Sequence, residues 1–156
     1  MKLIKGNMWD FVYDYDIMLL TTNGFVKHNG ENVMGRGNAL QANKKWPMLA
    51  RHLGSKIKVN GNIVQPLIEI GDTTILAAFP VKDFWYNDAR LDIIGKSCGE
   101  LLDYMDKNNL TKALLPMPGV GNGKLSFESV LEYIRPLLDD RVDLIIYSTI
   151  TEENEM

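Results

Sequence analysis

The sequence predicts an α/β fold, a three-layer α/β/α sandwich around a mixed central sheet, and three observations carry that prediction. Short apolar runs alternate with segments of helical periodicity through the second half of the chain. Two strand-like runs flank Gly71-Asp72 in the middle, as a hairpin would, so the sheet is mixed and not purely parallel. The run Ile17-Met18-Leu19-Leu20-Thr21-Thr22 is apolar without alternation, the pattern of a strand covered on both faces.

The 156 residues suit one domain, 1–150, followed by a short acidic tail at 151–156. A hydrophobic share of 46% with 24% charged residues fits a chain that buries a core without disulfides or metals, and no repeat, linker or low-complexity stretch interrupts it. No apolar run approaches the roughly 18 residues of a membrane span. The N-terminus Met-Lys-Leu-Ile-Lys-Gly lacks the apolar centre of a signal peptide, so a cytoplasmic monomer with no membrane partner is expected. A net charge of −3 argues against extended nucleic-acid binding, which depends on many Lys and Arg contacts to phosphates. Lys44, Lys45 and Arg51 form the densest basic group and are expected on the solvent face of a helix.

In chain order, residues 2–5 form a short strand broken by Gly6-Asn7, and 11–16 carry no clear pattern. The buried strand at 17–22 closes at Asn23-Gly24, which places Asn23 at the strand end where open α/β sheets bind ligands. A polar loop follows. A helical pattern then opens at Met34-Gly35-Arg36-Gly37-Asn38-Ala39 and is interrupted at Pro47. The hairpin spans 63–70 and 73–79 and delivers Pro80, Val81 and Lys82 to its far end. Apolar residues from Leu91 to Met105 mark a helix with Asp88 as its expected N-cap. A strand at 112–115, a helix at 127–138 beginning near Ser126, and a last strand at 142–147 complete the order.

Two glycine-rich stretches carry the chemistry. The segment Pro118-Gly119-Val120-Gly121-Asn122-Gly123-Lys124 leaves a strand and leads toward a helix, as a phosphate cradle does, because glycines allow positive φ and close backbone approach. It fails as a nucleotide-hydrolase P-loop: Pro118 stands where the first glycine belongs, and Leu125 replaces the hydroxyl residue that holds magnesium. The Gly35 stretch lacks the last glycine of the dinucleotide fingerprint and sits too far from its strand. Two glycine-rich loops either clamp a diphosphate from both sides or are tight turns, and the residues alone leave both open. His28 and His52 have no ligand spacing around them, so no metal is expected. Cys98 stands alone on an apolar helical face and reads as a bland buried thiol. Lys82 follows Phe79-Pro80-Val81 and precedes Asp83-Phe84-Trp85-Tyr86, where a lysine is either a snorkelling surface residue or one tuned for chemistry.

Four separated motifs resemble a macro domain. They are Asn23, the run from Val33 to Gln41, the run from Phe79 to Trp85, and the run from Leu115 to Gly123. The branch they resemble is that of the terminal ADP-ribose glycohydrolases and the macro domains of DarG-type antitoxins, which also occurs in small bacterial and phage proteins. The resemblance implies an ADP-ribose pocket that needs no cofactor. By position, Asn23 matches the asparagine near the distal ribose. Met34, Gly35, Arg36, Gly37, Asn38 and Ala39 match the first phosphate loop, and Pro118, Gly119, Val120, Gly121, Asn122 and Gly123 match the second. Tyr147 matches an aromatic residue beside the adenine, and Lys82 matches the lysine to which removal of ADP-ribose from protein or DNA is attributed. The implied activity is hydrolysis of mono-ADP-ribose from a modified protein or nucleic acid. The alternatives are a non-catalytic binder of ADP-ribose and an ADP-ribose 1″-phosphate phosphatase. Three positions depart from the pattern: Asn7 stands where many macro domains carry an adenine-reading aspartate, Gly123 replaces a loop aspartate, and Lys124 replaces a glycine.

Overall fold

The computed structural model describes residues 1–147. Six strands form one sheet: β1 (Leu3–Lys5), β2 (Ile17–Asn23), β3 (Gln65–Ile70), β4 (Thr74–Lys82), β5 (Ala113–Pro116) and β6 (Val142–Ile146). Their spatial order is β1-β6-β5-β2-β4-β3, with every neighbouring pair parallel except the β3/β4 hairpin. Four α-helices pack on it, α1 (Gly37–Lys45), α2 (Leu49–Asn60), α3 (Leu91–Lys107) and α4 (Phe127–Ile134).

Side chains alternate across a strand, and β2 shows how that builds the layers. Ile17 and Leu19 enter one core with Ile94, Cys98, Leu101 and Met105 of α3 and Val130 and Ile134 of α4. Met18 and Leu20 enter the other, with Ala39 and Ala42 of α1 and Leu49, Ala50 and Leu53 of α2. A strand buried on both faces accounts for the continuous apolar run, each large side chain contributing about 1.5–3 kcal/mol on burial. The three-layer sandwich with a mixed sheet is thus observed.

Local chemistry refines the boundaries. The unpatterned region holds a 3₁₀ helix, Met8–Asp14, with the Asn7 side chain accepting from Trp9 N at 3.0 Å. The hairpin loop has three residues and not two, because Ile70 pairs with Thr74 and Gly71 turns the chain at φ +60°. Asp88 does not cap α3: Arg90 holds that position, and its guanidinium grips Asp92 instead. Pro136 ends α4 early, leaving Arg135–Leu137 as a 3₁₀ turn. Helix α1 stops before Pro47, as expected. Lys44, Lys45 and Arg51 are exposed, with Lys45 Nζ 5.4 Å from the Trp9 ring centre. The expected tail at 151–156 lies outside the described residues.

Strands β2, β4, β5 and β6 run in one direction, so Asn23, Lys82, Pro116 and Ile146 end at one edge of the sheet. After β2 the chain enters the α1/α2 layer, whereas after β5 it enters the α4 layer. Adjacent parallel strands whose connections leave toward opposite faces open a crevice between them, the usual ligand position in α/β sheets.

Candidate functional site

The first wall of the crevice is built where β2 meets α1. Thr21 N donates to Asn38 Oδ1 at 2.9 Å, and Asn38 Nδ2 donates to Thr21 Oγ1 at 3.1 Å, which pins the opening turn of α1 to the strand end. Gly37 begins that turn at φ +59°, a conformation that disfavours any side chain. Asn23 is buried and acts as a bracket for the loop that follows. Its Nδ2 donates to Val33 O at 2.9 Å, and its Oδ1 accepts from Phe25 N and Asn32 Nδ2, each at 3.0 Å.

The second wall follows β5. Gly119 and Gly121 have φ of +78° and +75°, and Leu125 N returns to Gly119 O at 2.9 Å, closing the loop on itself. A 3₁₀ turn at Gly121–Gly123 intervenes before Ser126, whose Oγ caps α4, so this stretch is a closed loop set ahead of the helix and not the helix start itself. Lys124 takes the left-handed conformation, φ +66°, at the place where the resembling loops carry glycine. The two walls nearly touch: a Cβ added at Gly37 would lie 3.4 Å from Asn122 Nδ2.

Lys82 stands at the end of β4, half-buried, and its Nζ donates to Asn87 O at 3.1 Å. Burial holds its pKa below the usual lysine range, the Arg36 and Lys124 charges push the same way, and Asp88 opposes them. Tyr147 OH donates to Gln41 Oε1 at 2.9 Å, and Trp9 Nε1 reaches the same oxygen at 2.9 Å, which fixes the phenol against α1. Burial raises the Tyr147 pKa, so the ring is neutral.

One cavity of about 520 Å³ joins these parts, a volume in the range of small-molecule sites. Among the residues singled out by sequence, Asn23, Met34, Gly35, Arg36, Gly37, Asn38, Ala39, Lys82, Gly119, Val120, Gly121, Asn122, Gly123 and Tyr147 all line it. Pro118 is buried and is not among the lining residues. No site role was assigned from the sequence to Thr21, Thr22, Val33, Val81, Trp85, Pro116, Met117, Ile145 or Ile146, although Val33, Val81, Trp85, Pro116 and Met117 fall within the runs that carry the resemblance. Most of these sit at or beside the C-terminal ends of the parallel strands, so their position in chain order was the available signal. Thr22 Oγ1 is buried and has no hydrogen-bond partner among the described residues. The lining carries Arg36 and Lys82 but no Asp or Glu among the described residues. Asn7 lies outside it, spent on its 3₁₀ cap.

Other reactive side chains stand apart. Cys98 is fully buried and its thiol is pushed up to about 12, which keeps it protonated. His52 Nε2 bonds Leu67 O at 2.9 Å, and His28 is exposed. No group of three or more His, Cys, Asp or Glu side chains positioned to hold a metal occurs among the described residues. No described helix is long and apolar enough to cross a membrane.

A mixed six-stranded sheet between two helical layers, with paired glycine loops at the parallel strand ends, is the macrodomain fold. The solved structures it resembles include macrodomains of the DarG type. The macrodomain of Mycobacterium tuberculosis DarG superposes with a TM-score of 0.71 at 24% identity, covering 93% of this chain and 96% of that one. The macrodomain of Thermus aquaticus DarG gives 0.73 at 22% identity, covering 94% and 97%. Thermosipho africanus DarTG, solved in complex with ADP-ribose, gives 0.74 at 18% identity, covering 97% of this chain and 43% of that one. Among curated proteins, the DNA ADP-ribosyl glycohydrolases of Mycobacterium tuberculosis and Mycobacterium bovis are 27% identical over 141 residues. That match takes in 85% of this chain but only 40% of those relatives' length. No protein-family model matches the chain.

Proposed function

We propose that this chain binds ADP-ribose and hydrolyses its glycosidic bond to a modified macromolecule. The observation that carries the proposal is the placement of Lys82 beside Asn23, cross-strand neighbours at the mouth of a cavity held between two glycine loops. In this reading the Gly35–Ala39 and Gly119–Gly123 segments hold the diphosphate through backbone N–H groups, with Arg36 adding charge. Tyr147 flanks the adenine. Asn23 orients the distal ribose indirectly, since its own amide already brackets the loop. The name of the mycobacterial relatives, DNA ADP-ribosyl glycohydrolase, supports the same chemistry and makes a modified nucleic acid one candidate substrate. A cytoplasmic monomer is part of the proposal.

The bond broken joins ribose C1″ to the oxygen or nitrogen of the modified group. Positive charge develops at C1″ and negative charge on the leaving atom, which the Lys82 ammonium stabilises and protonates while water adds to C1″; the added water then loses a proton to solvent and the Lys82 amine regains one. A lysine with a lowered pKa releases that proton more readily than an exposed one, and its neutral form is also competent to trap the opened sugar aldehyde as an imine. Binding energy from the two loops on the diphosphate fixes the scissile bond relative to Nζ.

A second reading has its own support. Among the described residues no Asp or Glu lines the cavity to activate water, which suits a protein that binds and sequesters ADP-ribose without turnover. One experiment separates the two. Lys82→Ala is expected to lower ADP-ribose release by about 10²-fold or more, in line with loss of a general acid, while calorimetric affinity for ADP-ribose stays within a few-fold. Equal release by wild type and variant would refute the catalytic assignment. Absence of release from wild type on every substrate, with tight binding retained, would establish the sequestering role.

A further inference from the structure

Resting on the reading that the cavity holds ADP-ribose, we propose that Gln41 is a specificity-determining residue. It holds the Tyr147 hydroxyl proton away from the cavity, so that the phenol oxygen accepts from the 6-amino group of adenine and rejects a 6-oxo purine. Placement supports this first. Tyr147 follows β6 and Lys82 ends β4, and those strands lie three places apart in the sheet, about 14 Å at the usual strand spacing. Strands β5 and β2, which lead into the two walls, stand between them. A ligand with its reacting ribose at Lys82 and its diphosphate on the glycine loops therefore carries its base toward Tyr147. The lining residues of the β5 and β6 ends are Pro116, Met117, Ile145 and Ile146, so among the described residues the Tyr147 phenol is the polar side-chain group offered to a base there.

Hydrogen-bond accounting then fixes what the phenol offers. Gln41 lies one turn along α1 from Gly37 and shares its helix face, which brings the amide to the cavity side. Its Oε1 accepts from Tyr147 OH and from Trp9 Nε1, each at 2.9 Å. An indole N–H can only donate, so the oxygen of the amide and not its NH₂ must face Trp9. A phenol has one proton and two lone pairs. With the proton spent on Gln41, Tyr147 presents lone pairs alone.

The arrangement is braced from behind. Trp9 N donates to Asn7 Oδ1 at 3.0 Å, and the indole meets Trp46 edge-on with ring centres 5.7 Å apart. Trp46 itself closes α1, its N donating to Ala42 O at 2.8 Å. The donor that orients Gln41 is thus anchored to the helix that carries Gln41. Adenine brings an NH₂ to its 6-position, which donates to Tyr147 Oη. Hypoxanthine brings a carbonyl oxygen, which sets lone pair against lone pair, and Gln41 denies the phenol the rotation that would turn its proton inward. An exchange of donor for acceptor at such a contact leaves both groups unpaired, which is how polar contacts discriminate.

The test compares calorimetric affinities for ADP-ribose and for its analogue with hypoxanthine in place of adenine. The wild-type chain is expected to bind ADP-ribose about ten-fold or more tightly than the analogue. Tyr147→Phe keeps the ring and removes the preference. Gln41→Leu also removes it, because the freed hydroxyl can turn its proton to meet either base. Gln41→Glu keeps an acceptor for both donors and retains the preference, while its charge weakens both ligands alike. A merely structural role for Gln41 would lower both affinities together and leave their ratio unchanged, which would overturn the proposal. So would a preference that survives Tyr147→Phe. Equal binding of the two ligands by wild type removes the selectivity and leaves the reading of the cavity standing, whereas a wild-type chain that binds neither overturns that reading and the proposal with it.

Discussion

Replacing Gly119 with alanine tests whether the second wall depends on a bare backbone at one point. The residue has φ +78°, where a Cβ costs about 1–2 kcal/mol. An added Cβ would stand 2.8 Å from Ile94 Cδ1, 2.9 Å from Leu125 Cδ1 and 3.1 Å from Ala89 Cβ. Ile94 and Ala89 are buried in the core shared by α3 and α4, so neither yields freely, and overpacking of this kind costs about 1–3 kcal/mol. The sum, about 2–5 kcal/mol, is a large part of the roughly 5–15 kcal/mol that holds a domain folded. Urea denaturation is expected to show a lower midpoint with an unchanged m-value, together with weakened ADP-ribose binding as the loop is displaced. Gly99→Ala is the control: an added Cβ there meets nothing within 4 Å on α3, and helix propensity predicts a gain of about 0.5–1 kcal/mol. A Gly119→Ala midpoint indistinguishable from wild type would refute the argument that this wall is set by steric exclusion.

Lys124→Gly should stabilise the chain by about 1 kcal/mol, because lysine pays for the left-handed conformation that glycine adopts without penalty; an unchanged or lower melting temperature would count against it. The pH dependence of binding follows from Lys82, whose pKa in the free protein lies below the usual 10.5. A bound diphosphate favours the charged amine and raises that pKa, so binding takes up a proton and affinity falls as pH climbs from the lowered value toward 10.5. Lys82→Met should flatten that fall in calorimetric titrations. The same shift makes the free chain gain stability with pH across that window, since the unfolded lysine holds its proton more tightly there.

Much of the layer structure was legible because it rests on local periodicity. Ile17 to Thr22 announced a doubly buried strand, and Ile94, Cys98, Leu101 and Met105 announced one face of α3, since those spacings map directly onto a strand and a helix. The two glycine loops were legible for the same reason, their residues being contiguous. What the pattern did not contain was placement that depends on distant partners. β5 lies beside β2 although the β3/β4 hairpin and α3 separate them in the chain, and Pro116, Met117 and Ile145 then line the cavity. Asp88 looked like a cap because of its residue type, yet Arg90 N bonds Val81 O and Ala89 N bonds Gly123 O, contacts that set the entry into α3 and exclude Asp88 from the cap position. Trp85 reaches the cavity only because its loop is drawn back to the second glycine wall.

The position of Lys82 itself is set by strand register and not by either loop. Along β2 and β4 the pairing runs Thr21 with Phe79 and Thr22 with Pro80, then slips so that Asn23 faces Lys82 and Val81 is left over. In unbroken register Asn23 would face Val81, and Lys82 would point to the opposite side of the sheet. The extra residue of a bulge reverses that relation and brings the lysine to the side that carries Asn23. Proline at the preceding position fits this arrangement. The β3 pairing ends at Ala78, so the missing N–H of Pro80 costs no bond to that neighbour, and its carbonyl is taken by Ser97 Oγ at 2.6 Å. The Phe-Pro-Val-Lys run therefore encodes a register slip as well as a lysine. Loop residues such as Lys124 are free to depart from the resembling pattern without moving the amine from its place beside Asn23.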